Sequence, residues 1–399
     1  MKFLLAGYGT RGDVEPCAAV GLELLRRGHG VRVAVPPNRL NFVESAGLDG
    51  VGWGPSLTDL QGQDFNRDVS TMQDRVSVLP ELFQYATQAT VEMGTTLTQL
   101  AEGADLLVTG TFEPRLAATV AEYYDIPVAA LHPFPIQVLA HSWPDWRIRQ
   151  QIEEALRRAL ALPEAAALAL PGKGKRASLE IQAYDELLFP WLAAEWAECD
   201  SRRPFVGALT LELATDADDD VLSWIAAGTP PIYFGFGSTP LASPVDTLEM
   251  FSAACAQLGE RALICTGEND FTDVPHFDHV KVVGAVNHTA IFPACRAVVH
   301  HGGAGTTAAS MRAGTPTLIL WFWHDQPSWA AQVTRLKVGA ARPFSATTVD
   351  SLVADLRSIL APQVAVQARE IATQMTKPAD SVARAADLVV AAARHGRYG

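Results

Sequence analysis

Apolar residues fall into short runs of strand length. These alternate with longer stretches in which they recur every three to four positions. Residues 3–8 make the first run and feed the loop Gly9-Thr10-Arg11-Gly12-Asp13. Pro16 then suits the first turn of a helix filled by Ala18, Val20, Leu22, Leu24 and Leu25 and stopped at Gly28. Residues 31–35 are the next strand and 51–53 a third. Helices are expected over 81–101 and 113–124, and strands over 106–109, 128–131 (ending at His132-Pro133) and 181–184. After Pro230-Pro231 the rhythm returns, with strands at 232–236, 262–266, 281–283, 297–299 and 317–323 and helices at 246–258, 351–360 and 378–393. Buried strands alternating with helices predict parallel sheets covered on both faces.

Two stretches break the rhythm. Residues 56–76 are polar and irregular and are expected to be a mobile loop. From His141 to Lys175 the texture changes: Trp143 and Trp146 precede a segment with Ile152, Ala155, Leu156, Ala159 and Leu160 on one helical face. That segment is either a helix packed on its own domain, a lid over an apolar acceptor, or a shallow contact with a membrane surface.

Composition narrows the class. A chain of 399 residues with 48% hydrophobic content can bury two sizeable cores. A net charge of −13 argues against nucleic acid and against a broadly basic membrane patch. Five scattered cysteines show no metal-ligand spacing and read as reduced thiols of a cytoplasmic protein. Oligomeric state is not written in the sequence.

The chemistry concentrates in residues 296–327, RAVVHHGGAGTTAASMRAGTPTLILWFWHDQP. A strand leads into His300-His301-Gly302-Gly303-Ala304-Gly305-Thr306-Thr307 and then into a helix. Gly303 and Gly305 let a ligand approach the backbone, and a helix start offers unpaired N–H groups and the positive end of a dipole. Thr306 and His301 add side-chain donors, so a diphosphate is the expected guest. His300 is expected to be structural. Asp325 and Gln326 follow the next strand, and a carboxylate beside an amide suits several sugar hydroxyls.

Two further signals are weaker. Gly7, Gly9 and Gly12 match G-x-G-x-x-G, but the second strand ends Val35-Pro36-Pro37-Asn38 with no acid, so a dinucleotide site is not expected. Asp216, Asp218, Asp219 and Asp220 stand before a helix expected at 221–227, where carboxylates act as caps; no metal and no cofactor is predicted.

HHGGAGTT followed by HDQP resembles the donor signature of nucleotide-sugar glycosyltransferases with the GT-B fold. The likeness is to the bacterial group that includes vancomycin-pathway enzymes, mycobacterial glycopeptidolipid glycosyltransferases and sterol glucosyltransferases. It implies an α/β protein of two facing Rossmann-like parallel-sheet domains with an interdomain cleft. Residues 1–204 would bind the acceptor, 205–377 the nucleotide-sugar, and 378–399 would form a helix crossing back to the first domain. It further implies that Gly237 and Ser238 contact the donor diphosphate, and that the turn at Val286-Asn287 holds the nucleotide base by its main chain.

By the same likeness, Asp13 of the Gly-Thr-Arg-Gly-Asp loop is the candidate base, with His301 as its catalytic partner at the diphosphate. The other reading of Asp13 is a helix cap beside Arg11, and both roles can coexist. Thr10, Gly12, His132 and Trp143 are candidate acceptor contacts. One departure stands out: where the family often carries an Arg-Gly-Trp-like segment, this chain has Thr266-Gly267-Glu268-Asn269.

The expected function is metal-independent, inverting transfer from a dTDP- or UDP-sugar to a hydroxyl of a hydrophobic acceptor such as a lipopeptide or glycolipid. The alternative acceptor is a glycopeptide or polyketide aglycone, including at carbon. From other classes, an epimerase, a phosphorylase or a non-catalytic nucleotide-sugar binder would share the scaffold. The expected location is the cytoplasm, with membrane association left open.

Overall fold

The computed structural model describes residues 1–56, 75–110, 114–136, 146–163, 179–197, 202–271 and 275–396, with the side chains of 75–83, 146–149 and 395 left aside. The expected loop at 57–74 and the candidate Trp143 lie outside the described residues.

Twelve strands form two six-stranded parallel sheets among the described residues. The first is built from β1 (Lys2–Ala6), β2 (Gly30–Val35), β3 (Gly50–Gly52), β4 (Leu106–Thr109), β5 (Val128–His132) and β6 (Leu179–Gln182), in the order β3-β2-β1-β4-β5-β6. The second uses β7 (Ile232–Gly235), β8 (Ala262–Cys265), β9 (Val280–Val283), β10 (Ala297–His300), β11 (Thr317–Trp321) and β12 (Gly339–Pro343), in the order β12-β11-β10-β7-β8-β9. Counted from the first strand of each, these are the same doubly wound order. Its direction of winding reverses between β1 and β4 and between β7 and β10. At such switch points the loops leaving the strand ends diverge and open a crevice for a ligand.

The helices are α1 (Arg11–Arg26), α2 (Leu40–Ser45), α3 (Arg75–Leu100), α4 (Pro114–Tyr124), α5 (Trp146–Ala159), α6 (Pro190–Ala197), α7 (Asp218–Ala226), α8 (Pro244–Leu258), α9 (His288–Ile291), α10 (Ala304–Arg312), α11 (Gln326–Arg335), α12 (Val349–Ile359), α13 (Pro362–Ala372) and α14 (Pro378–His395). They cover both faces of the sheets. Along β1, Phe3 and Leu5 enter one core and Leu4 and Ala6 another. Along β7, Ile232 and Phe234 face one core and Tyr233 the other. Each such large side chain contributes roughly 1.5–3 kcal/mol of burial, which explains why the strands read as unbroken apolar runs.

The chain divides into two compact units. One is Met1–Ala183 with Leu192–Leu211 and Pro378–Gly399; the other is Tyr184–Trp191 with Glu212–Lys377. Residues 205–211 thus go with the first unit rather than the second. Tyr184–Trp191 goes with the second because Tyr184 and Phe189 pack edge-on against Trp329, at 6.2 and 5.2 Å between ring centres. Arg335 also donates to the Leu187 carbonyl at 2.8 Å. In the first unit α14 lies on α1, with Ala385, Ala386 and Val389 in the core of β1 and Arg27 paired to Asp387 at 2.6 Å.

Helix α5 packs within the first unit. Leu156 is buried against Gly94, Arg157 pairs with Glu122 at 2.8 Å, and Glu153 pairs with Arg115 at 2.8 Å. Its described part is therefore a packed helix rather than a lid. Among the described residues no helix is long and apolar enough to cross a membrane.

Candidate active site

The signature stretch folds at the switch point of the second sheet. β10 lies between β7 and β11, with Val298 opposite Tyr233 and Thr317. Buried His300 ends the strand and accepts the Gly302 N–H on Nδ1 at 3.0 Å, so its proton sits on Nε2. Burial holds this ring well below the usual histidine range, with His301 and His288 adding repulsion. Gly302 has φ +93, and a Cβ there would stand 2.8 Å from Ile319 Cγ2 and 3.2 Å from Gln326 Cβ. Only glycine satisfies both demands. This packing joins the glycine turn to the start of α11.

Gly303 is the residue before α10 and carries no capping side chain. The first-turn N–H groups of Ala304, Gly305 and Thr306 therefore have no intrahelical acceptor. Thr307 is different: its hydroxyl turns back onto the Gly303 carbonyl at 2.9 Å. The ring of His301 lies over this turn. A side chain built on Gly303 would run onto Nε2, and one on Gly237 would meet Cε1 at 3.4 Å. Gly237, His301 and Gly303 thus form one continuous surface across the switch point. Desolvation pushes His301 down to about 4, against a smaller opposing pull from the Gly235 carbonyl. The ring is therefore neutral at neutral pH and carries a single N–H, which is an uncharged donor toward the turn when it sits on Nε2.

The loop after β7 is held from the next strand. Gly237 adopts φ +58 and accepts the Glu268 N–H at 3.1 Å. Asn269 accepts the Leu241 N–H at 2.8 Å and donates to the Thr239 carbonyl at 3.1 Å. Ser238 sits half-buried within this clamped loop. The Thr266–Asn269 departure from the family pattern is therefore a structural brace.

Asp325 and Gln326 are largely committed to their own turn. Gln326 is buried, and its carbonyl oxygen accepts the N–H groups of Phe322 at 2.7 Å and Trp323 at 3.2 Å. Both partners are donors, which leaves the amide NH₂ as the group to offer a ligand. Asp325 accepts the Trp329 indole N–H on Oδ2 at 2.7 Å, and burial raises its carboxyl against that bond. Just before them His324 takes φ +56, a conformation unusual for a side-chain-bearing residue.

Val286 is buried at the far side of the same sheet edge, and the next N–H, that of Asn287, donates to Asp218 at 2.8 Å. Asp218 also accepts from the Thr215 N–H and hydroxyl, each at 2.8 Å. Burial raises its carboxyl, but these donors prevail and its pKa is lowered. Asp220 pairs with Lys281 at 2.7 Å. This acidic run therefore pins α7 to the Val286 turn.

In the first unit, Asp13 lies inside α1 and not in a loop ahead of it. Helix α1 begins at Arg11, so Asp13 is in its first turn and Pro16 one turn later than expected. Thr10 caps the helix, and its N–H and hydroxyl reach Asp13 Oδ2 at 2.7 and 2.9 Å. Arg11 pairs with Glu15 at 3.2 Å. Gly9 has φ +138, and any side chain there would run into the Asp13 carboxylate. Thr10 and Gly12 are exposed beside it. A Cβ on Gly110, just after β4, would stand 3.7 Å from the Asp13 carbonyl, so Asp13 occupies the switch point of the first sheet.

His132 ends β5, one strand beyond β4. It is buried, its Nδ1 has no partner among the described residues, and burial pushes it down to about 4. Sequence reasoning missed Asn269, the Asp218 clip and the His324 turn. The Thr266–Asn269 departure was the one signal pointing toward the brace.

Comparison with known proteins agrees with this geometry. "Glycosyltransferase family 28 N-terminal domain" matches residues 3–98, and "Erythromycin biosynthesis protein CIII-like, C-terminal domain" matches 253–390. An uncharacterised glycosyltransferase of Mycobacterium leprae is 58% identical over 384 residues, covering 92% of this chain and 90% of that protein. The crystal structure of the glycotransferase of kitacinnamycin superposes with a TM-score of 0.74 at 20% identity, covering 98% of both chains. The Streptomyces sp. SF2575 glycosyltransferase SsfS6, complexed with thymidine diphosphate, gives 0.65 at 23% identity, covering 97% of this chain and 99% of that one. The chain belongs to the GT-B glycosyltransferases that join a family 28 N-terminal domain to an EryCIII-like C-terminal domain.

Proposed function

We propose that this glycosyltransferase moves a sugar from a nucleoside-diphosphate donor to a hydroxyl of a hydrophobic acceptor, with inversion and without a metal. The reading rests on one observation above others: Gly237, His301 and Gly303 meet at the switch point of the second sheet, beside the open N-terminus of α10. A diphosphate bound there receives main-chain N–H groups, the helix dipole and one neutral imidazole donor. The Val286 turn takes the base, and the Gln326 amide with Asp325 takes sugar hydroxyls.

In the reaction the acceptor oxygen attacks the anomeric carbon as the bond to the diphosphate oxygen breaks. The acceptor proton passes to the Asp13 carboxylate, and the charge left on the diphosphate is stabilised by α10 and His301. Thr10 holds Asp13 Oδ2 from two donors, which fixes the carboxylate plane. Because a fold relative is solved with thymidine diphosphate, dTDP is the first nucleotide to test.

The experiment is a calorimetric titration with dTDP, UDP and GDP in the presence of chelator, followed by turnover of the matching sugar donors. Binding of one diphosphate with micromolar affinity, and acceptor-dependent release of it, supports the reading. Turnover of the donor with no acceptor would instead favour an epimerase on this scaffold.

A further inference from the structure

We infer that Trp329 is a positioning residue for the donor sugar: its indole N–H, caged by two rings of the Tyr184–Trp191 segment, takes one oxygen of Asp325 and leaves the other to accept a sugar hydroxyl. The inference rests on the donor reading above and deepens it, by naming what aims the carboxylate.

Three observations carry it. First, Asp325 is the residue before α11, where an aspartate ordinarily accepts N–H groups of the first helical turn. Its side chain makes no such cap. Oδ2 instead accepts the Trp329 indole N–H at 2.7 Å, the short length of a bond to a charged acceptor. Both oxygens of a carboxylate accept hydrogen bonds, so occupation of Oδ2 leaves Oδ1 for a ligand.

Second, the indole is fixed in place. Trp329 is 1% exposed. Tyr184 and Phe189, edge-on to each other at 5.4 Å, meet its ring edge-on at 6.2 and 5.2 Å. The segment that carries them is fastened at the far end of α11, where Arg335 donates to the Leu187 and Leu188 carbonyls at 2.8 and 3.2 Å and to the Gln332 side-chain oxygen at 2.7 Å. A phenyl ring would satisfy this packing; the indole adds the N–H that reaches the carboxylate.

Third, the neighbouring amide is held in the same manner. The Gln326 side-chain oxygen accepts the Phe322 and Trp323 N–H groups. Each of the two side chains proposed to meet the sugar therefore has one polar atom committed to the protein and one that remains for a ligand. Electrostatics agrees. Burial raises the Asp325 carboxyl, while the Trp329 indole, the residue's own N–H and His324 act to lower it. The indole bond thus favours the ionised, accepting form.

The test is calorimetric titration of dTDP and of dTDP-glucose, in chelator and over a pH series, against the full chain and Trp329→Phe. A third protein carries β-(3-benzothienyl)alanine at position 329, which keeps the shape of the indole and replaces its N–H by sulfur, so that loss of packing is separated from loss of the bond. Both altered proteins should bind dTDP-glucose about ten-fold more weakly than the parent. The midpoint at which acid abolishes dTDP-glucose binding should also move to higher pH, because without the indole bond the carboxyl rises further. dTDP has no donor sugar to meet Asp325, and its affinity should match the parent's at each pH. Equal weakening of dTDP and dTDP-glucose would mean that Trp329 only supports the second unit, and overturns the inference. Parent-like affinity for dTDP-glucose in the benzothienyl protein, or a parent that binds dTDP and not dTDP-glucose, overturns it as well. A parent that binds neither nucleotide would instead sink the donor reading itself, and the positioning role with it.

Discussion

Asp13 Oδ2 accepts both donors of Thr10, the backbone N–H at 2.7 Å and the hydroxyl at 2.9 Å. The pair closes a capping box at the start of α1. One carboxylate thus serves the helix and is the proposed base, and the cap fixes the orientation that proton transfer needs.

Thr10→Val removes the hydroxyl and keeps the N–H. Turnover should fall several-fold to about thirty-fold, the helix should lose roughly 0.5–2 kcal/mol, and dTDP affinity should hold. Thr10→Ser should restore turnover. Asp13→Asn should cost about 10²–10⁴ in turnover with the fold intact. Steady-state kinetics with circular dichroism would expose near-normal turnover in Asp13→Asn, which would remove Asp13 from the role.

Gly302→Ala should destabilise the second unit by roughly 1–3 kcal/mol, because it meets both a positive φ and the contact with Ile319. Urea unfolding of the variant measures this. An unchanged midpoint would mean that the turn relaxes freely.

Asn269→Ala should act at a distance. It breaks the bonds to Leu241 and Thr239 that hold the Gly237-Ser238 loop. We expect a loss of about 1–2 kcal/mol in stability and a weaker donor diphosphate, with the acceptor KM unaffected. Kinetics in which only the acceptor KM moved would contradict the brace.

Stability should rise between pH 4 and 6.5. His132 and His301 are pushed down to about 4 and His300 is pushed well below its usual value, all by burial, so the unfolded chain binds more protons than the fold across that window. Below about 4 the gain in slope from His132 and His301 ends. For His132, which is 4% exposed, the difference amounts to ~3 kcal/mol at most. Chemical unfolding of His132→Asn should show a shallower rise across this window than the parent.

The sheets were legible in the sequence because strands buried on both faces leave unbroken apolar runs, as residues 3–6 and 297–299 do. β12 was not, since Gly339-Ala340-Ala341-Arg342-Pro343 is half-buried at a sheet edge and has no such run. α13 was missed although Pro362 opens it, because its buried residues are few. At the site, glycine spacing and the following helix were readable. The internal bonds of Gln326 and the Asn269 brace were not, because they join segments distant in sequence or depend on a side chain folding back on its own turn.

The account stands most directly on how the second unit grips a diphosphate. Calorimetry should be run with dTDP and with thymidine on the parent chain, His301→Ala and Gly303→Ala, in chelator. We predict that dTDP binds the parent far more tightly than thymidine does. Gly303→Ala, which drives a methyl into the His301 ring, should weaken dTDP at least ten-fold, and His301→Ala several-fold, without altering thymidine. Equal affinity for dTDP and thymidine, or dTDP affinity untouched in both variants, would contradict it.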